Sequence, residues 1–117
     1  MGLVAATMAG TAPALAEGSW SSSIKEWGVN DESRRWTDNH LDSAATTVTF
    51  SGCNFHGSGG TDIGLFRDIS WYPDEKFGSK VNICSTSNWG EMKTQGSYYF
   101  QKTSTGTLSV TTVTTRY

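Results

Sequence analysis

Two cysteines and two histidines are the residues whose spacing first points to chemistry. Cys53-Asn54-Phe55-His56 has the Cys-x-x-His interval that can chelate zinc, with Cys84 and His40 as possible further ligands. A structural zinc site presents paired ligands at both ends, whereas Cys84 stands alone. An even pair of cysteines behind an uncharged, apolar first 16 residues ending in Ala14-Leu15-Ala16, the pattern of an export leader, reads instead as a disulfide between Cys53 and Cys84. A nucleophilic cysteine beside His40 or His56 would leave the second thiol orphaned in an oxidising space. Asp38-Asn39-His40-Leu41-Asp42 gathers oxygen ligands, with Asp31 and Glu32 just upstream. It has neither an EF-hand loop nor a glycine for a sharp ligand turn, so it reads as a solvated acidic loop. No metal and no cofactor is expected.

Other catalytic arrangements are poorly marked. No feature selects a carboxylate pair for glycosidic chemistry, no G-x-S-x-G occurs, and neither histidine has a signature context. The expectation is no catalytic residue. What remains is aromatic. Trp71-Tyr72, Trp89 and Tyr98-Tyr99 sit at or beside turns, where rings can stack on sugars or anchor a protein interface. Trp71, Tyr72, Trp89 and Tyr99 are the candidate binding residues; the competing reading is that these rings fill the core. Phe50 and Phe100, in mid-strand positions, are expected to be core.

The elements that must carry these residues read as β-structure from Ala45 onward. Thr46 to Ser51 alternates, with Val48 and Phe50 on one face. Gly57-Ser58-Gly59-Gly60 is a loop. Ile63, Leu65, Ile69 and Trp71 share a parity that Phe66 and Arg67 interrupt, so a bulge is expected there. Tyr72-Pro73-Asp74-Glu75 is a turn. Val81 and Ile83 mark the next strand, Tyr98 and Phe100 another, and Leu108 and Val110 the last, whose parity shifts to Val113 and Tyr117. If these strands run regularly, Cys53 and Cys84 are out of phase with their apolar neighbours. Each Sγ would then leave the face opposite the main core, and the bridge would pin neighbouring strands or strand ends.

Residues 17–44 read as a less regular segment. Trp20, Trp27 and Trp36 share no period, and Asn30 to Ser33 either caps a short helix carrying Trp36 and Leu41 or belongs to a loop over the sheet. Short strands, Gly-rich turns and few helix signals predict an all-β fold, a small antiparallel β-sandwich or Greek-key-like barrel with one disulfide.

Residues 1–16 (MGLVAATMAGTAPALA) are uncharged and apolar and end in Ala14-Leu15-Ala16. An apolar stretch closed by an A-x-A site is the pattern of a secretory signal peptide, cut after Ala16. It is too short, at roughly 15 apolar residues against the ~20 required, to span a bilayer. No Lys or Arg precedes it, so the basic n-region is expected to lie upstream of Met1. Residues 17–117 then form a single secreted domain, expected to be monomeric.

Charged residues are 17% of the 117 and the net charge is −2, with Arg34-Arg35 an isolated basic pair. Nucleic acid and anionic membrane surfaces are poor partners for such a surface. Five Trp, five Phe and four Tyr exclude a disordered chain. The small-residue leader and the lack of any Asn-x-Ser/Thr acceptor point to a bacterial source.

Glu17-Gly18-Ser19-Trp20 resembles the start of mature lactococcin-type bacteriocins, and Ser43-Ala44 followed by Val48 is similar to a second segment of that family. The resemblance implies a small secreted β-sandwich acting on cell-wall synthesis. Asp42 stands where the family has a histidine, and the family accounts for neither cysteine. The expectation drawn from the residues themselves is a secreted binding domain that engages extracellular carbohydrate or protein through exposed aromatics. A small antibacterial or inhibitory protein is the alternative, and a small extracellular hydrolase comes third.

Overall fold

The computed structural model describes residues 17–117; the expected leader, 1–16, lies outside them. Eight strands follow one another: β1 (Ser19–Trp27), β2 (Trp36–Asp38), β3 (Ala45–Asn54), β4 (Thr61–Asp68), β5 (Glu75–Asn82), β6 (Thr86–Glu91), β7 (Gly96–Lys102) and β8 (Leu108–Arg116). They form two four-stranded antiparallel sheets, ordered β1-β8-β3-β6 and β2-β7-β4-β5. The fold is therefore the all-β sandwich expected, with a Cys53–Cys84 disulfide. Among the described residues, no helix is long and apolar enough to cross a membrane.

The core lies between the sheets. One contributes Trp20, Ile24, Val48, Phe50, Leu108, Val110 and Val113; the other contributes Trp36, Ile63, Leu65, Tyr98 and Phe100. Phe50 and Phe100, 2% and 1% exposed, are core as expected. Phe100 touches three rings: Trp20 stacks on it at 6.1 Å, and Trp27 and Phe50 meet it tilted. Burial of such large surfaces compensates for the scarcity of aliphatics.

Strand parity changes within the sheets, and this corrects the expected position of Cys53. In β3 the inward residues are Thr46, Val48 and Phe50, then Gly52 takes φ 72° and Cys53 turns to the core side. In β8 the inward set slips in the same way, from Leu108 and Val110 to Val113 and Thr115. A side chain at Gly52 would need both a left-handed backbone and a Cβ 2.7 Å from Thr111, so glycine is required there. Cys53 thus packs against the core instead of leaving the opposite face. Cys84 is exposed in the turn after β5, and the bridge ties β3 to the beginning of its neighbour β6.

The β5 parity is also the reverse of the sequence reading. Val81 and Ile83 are 67% and 64% exposed, while Asn82 is fully buried. Asn82 organises the corner between the sheets: its Oδ1 accepts the amides of Cys84 and Ser85, and its Nδ2 donates to Ser85 O and Ser87 Oγ. Four satisfied bonds make a buried amide worth more here than an aliphatic side chain.

Residues 17–44 contain two strands and no helix. Register shifts between Ser22 and Ile24 and between Ile24 and Trp27 explain why the tryptophans share no period. The segment between β1 and β2 runs beside β7 instead of coiling: Asn30 N donates to Lys102 O, Lys102 N to Asp31 O, and Ser33 N to Phe100 O.

Candidate functional site

The loop between β4 and β5 carries the most exposed aromatic pair. The strand ends at Asp68, so Ile69 and Trp71 do not continue the face set by Ile63 and Leu65. The expected irregularity is present as a register shift between Gly64 and Phe66 against β5. Beyond it, Trp71 is 97% exposed and Tyr72 73%.

Asp74 holds the loop in shape. Its Oδ1 accepts the Ile69 amide at 3.0 Å, closing the loop on itself, and its Oδ2 accepts a short hydrogen bond from the Tyr99 hydroxyl. Tyr99 is in turn fixed from both sides. Phe66 stacks on it at 5.3 Å with the planes 12° apart, and the Arg35 guanidinium lies 3.9 Å from its ring centroid. Arg35 is oriented by Glu32 at 2.7 Å and Asp68 at 3.1 Å, ion pairs that bring the β1–β2 loop and the end of β4 together. Burial, reinforced by the bond to Asp74, pushes the Tyr99 phenol far above its ordinary range. The same bond, with the Ile69 amide, holds Asp74 below the usual carboxylate range. Tyr99 therefore stays a neutral donor and Asp74 a charged acceptor across physiological pH.

The backbone at Trp71 is strained. Its φ is 71°, in the left-handed region that a bulky residue rarely occupies. A strained residue held by an over-determined loop, with its ring in water, is the unusual feature of this surface.

The four expected aromatics do not form one platform. Trp71 and Tyr72 present their rings to solvent, but Tyr99 is 4% exposed and serves as the anchor beneath the loop. Trp89 is half-buried against the core, and its Nε1 donates to Gly78 O at 2.9 Å. It thereby covers a carbonyl of β5, an edge strand of one sheet, from β6, an edge strand of the other. The two corrections differ in cause. Tyr99 lies on the outer face of β7, opposite Tyr98 and Phe100, and is covered there by Phe66, Arg35 and the β4–β5 loop, whereas Trp89 packs against the core from the edge strand β6.

A second concavity, an open groove of about 330 Å³, lies at the other end of β5 between Gly60, Asp62, Val81, Ile83, Ser104 and Thr105. Lys102 is almost completely buried beside Ser104 and Thr105, its ammonium donating to both carbonyls, and burial pushes its pKa down. Alternation from Tyr98 and Phe100 puts Lys102 on the inward parity, but nothing in the sequence shows that the Ser104 and Thr105 carbonyls fold back to satisfy its charge.

The zinc and thiol readings fail because both cysteines are in the disulfide. Among the described residues, no three His, Cys, Asp or Glu side chains converge as a metal site. His40 faces Glu91 at 3.5 Å, while His56 belongs to the Asn54 turn.

No protein-family model matches the chain, and no curated protein matches it. Among solved structures, the chain is similar to the crystal structure of SPBc2 prophage-derived protein YomS, with a TM-score of 0.52 and 13% identity. The alignment covers 94% of this chain and 100% of the other. At that identity the likeness concerns the fold alone.

Proposed function

We propose that this chain is an exported, disulfide-bonded binding domain that engages an extracellular carbohydrate or protein through Trp71 and Tyr72. The observation that carries the reading is Trp71 itself, 97% exposed at a φ of 71° on a loop braced by Asp74. An indole left in water forgoes burial that would stabilise the fold, and a rigid loop lowers the ordering cost of a later contact. Tyr72 beside it extends the apolar surface and adds a hydroxyl, a pairing suited to a sugar ring or to the centre of a protein interface. Export, by cleavage after Ala16, is supported by the apolar leader with its Ala14-x-Ala16 ending and is compatible with the Cys53–Cys84 bridge.

The test is a pull-down of the exported protein on insoluble cell-wall polysaccharides and on extracellular protein extracts, with Trp71→Ala and Tyr72→Ala in parallel. A growth-inhibition assay beside it addresses the antibacterial alternative. Retention that drops at least tenfold in Trp71→Ala supports the reading. Retention unchanged in both variants overturns it.

A further inference from the structure

The groove at the far end of β5 is as firmly built as the Trp71 loop. One wall carries Val81 and Ile83, both mostly exposed, on either side of buried Asn82. Asn82 fixes that wall through its hydrogen bonds to Cys84, Ser85 and Ser87, and the Cys53–Cys84 bridge anchors it just beyond Ile83. The opposite wall is Ser104 and Thr105, whose carbonyls accept from the buried Lys102 ammonium. The Ser104 hydroxyl also meets the Asp62 amide at 3.0 Å and the Thr61 hydroxyl at 3.2 Å. At Gly60 the backbones touch: a Cβ there would lie 2.9 Å from Asn82 O and 3.0 Å from Ile83. Burying an ammonium to hold a surface turn is costly, and what it secures is the shape of this groove.

Groove and loop occupy one face of one sheet. Asp62 pairs in register with Val81, and both point outward, away from the inward Ile63. Tyr99, beneath Asp74, is on the same outer face, because Tyr98 and Phe100 on either side of it point into the core. At ~3.3 Å per residue, the run of β4 from Asp62 to Asp68 separates the two by about 20 Å. Between them lie Phe66, Gln101 and the hydrogen-bonded Ser79 and Thr103 hydroxyls, which close over Gly64.

We propose that the ligand of this face is an extended polysaccharide of neutral or amino sugars, held by Trp71 at one end and by the Val81–Ile83 groove at the other. The inference rests on the binding reading of Trp71. A protein partner concentrates its affinity in a packed cluster near the centre of its footprint. Here the exposed apolar side chains stand at the two ends, with hydroxyls and an amide between them. A glycan chain suits that distribution, since every ring repeats an apolar C–H face and a hydroxylated rim. Val81 and Ile83 take the apolar face, while the Asp62 carboxylate and the Thr105 hydroxyl accept hydrogen bonds from the rim. Charge selects the sugar. Among the described residues, no Lys or Arg lies within ion-pair distance of Asp62, and Lys102, though in its field, directs its hydrogens to Ser104 and Thr105. An acidic sugar would meet that carboxylate, whereas a hydroxyl or an ammonium is held by it.

The experiment is titration calorimetry of the exported protein with dimers and hexamers of five series: cello-, manno-, N-acetylchito- and chitosan oligosaccharides, and oligogalacturonates. We expect at least one neutral or amino series to bind, its hexamer about tenfold or more tighter than its dimer, and the oligogalacturonates not to bind. Val81→Thr combined with Ile83→Ser should bring the hexamer down to about the affinity of the dimer, as should Trp71→Ala. Thr105→Arg, which fills the groove from the opposite wall and leaves β5 untouched, should do the same. A hexamer no tighter than its dimer, equal binding of oligogalacturonates, or no binding by any neutral or amino series overturns the polysaccharide assignment. So does a protein retained from extracellular extract through Trp71 when no sugar binds. Hexamer binding that falls in Trp71→Ala but not in the groove variants overturns the groove and leaves the loop reading standing. Binding that falls in the groove variants but not in Trp71→Ala refutes the loop reading, and the span with it.

Discussion

Replacing Trp71 by glycine should separate stability from binding more cleanly than any other change. Trp71 is 97% exposed, so only the remaining 3% (100 − 97) of its surface is covered. For a side chain of at most roughly 250 Å², the covered part is under about 10 Å² and worth about 0.2 kcal/mol. Its φ of 71° costs a non-glycine residue roughly 1–2 kcal/mol. Glycine removes that strain but has more unfolded-state freedom to lose, a penalty of roughly 0.5–1 kcal/mol. The net expectation lies between neutral and about 1 kcal/mol of stabilisation, a rise of up to roughly 6 °C in melting temperature for a domain of this size. Urea unfolding monitored by circular dichroism reads the stability, and retention on the ligand matrix reads the binding. Trp71→Gly should therefore fold at least as well as the parent while losing ligand. Destabilisation beyond about 1 kcal/mol would show that the indole supports the loop, and the separation of stability from binding would be refuted.

Phe50→Ala and Phe100→Ala should each cost about 3–5 kcal/mol in urea unfolding, because both rings are nearly fully buried. Replacing Cys53 and Cys84 together by alanine should cost roughly 3–4 kcal/mol in the loop-entropy model for a separation of 31 residues, read by the same titration. Tyr99→Phe should cost about 1 kcal/mol and speed hydrogen exchange at the Ile69 amide, since Asp74 keeps only one of its two partners. Asp74 has a depressed pKa, so its contribution is complete above about pH 4 and lost as pH falls through the lower folded value. In Tyr99→Phe that loss should begin at a higher pH, measurable by carboxyl NMR titration.

The architecture was legible wherever alternation was uninterrupted. Thr46 to Phe50, Ile63 to Leu65 and Leu108 to Val113 face as their periodicity requires, including the slip in the last strand. The errors fall where a backbone irregularity reverses the phase. Gly52 brings Cys53 to the core side, and the two register shifts in β1 hide a strand among its tryptophans. Asn82 inverts the edge strand because its side chain, and not Val81 or Ile83, satisfies the corner between the sheets. At the candidate site, Trp71 and Tyr72 were readable from the turn that contains Pro73. Tyr99 was not, since its role depends on Asp74 and Arg35, whose approach is set by tertiary packing.

The five tryptophans of this chain sharpen the case for the loop. Trp20 and Trp36 are buried in the core, and Trp27 and Trp89 pack against it from its margins. An indole is thus the side chain with which this fold, short of large aliphatics, fills space. Only Trp71 contributes nothing of that kind, and it does so from a backbone conformation that favours glycine. Chance exposure of an apolar residue is common on protein surfaces and needs no explanation. Exposure combined with strain is different, because substitution to glycine would relieve one cost and lose no packing. Beneath it, Asp74, Tyr99, Phe66 and Arg35 form a connected support reaching from the β4–β5 loop to the segment before β2. A loop with no role would gain little from such bracing, whereas a ring that must meet a ligand without reordering gains affinity from it. The strain at Trp71 and the rigidity below it are therefore expected to be selected together, and a variant that loosens the support, Tyr99→Phe, should weaken binding even with Trp71 intact.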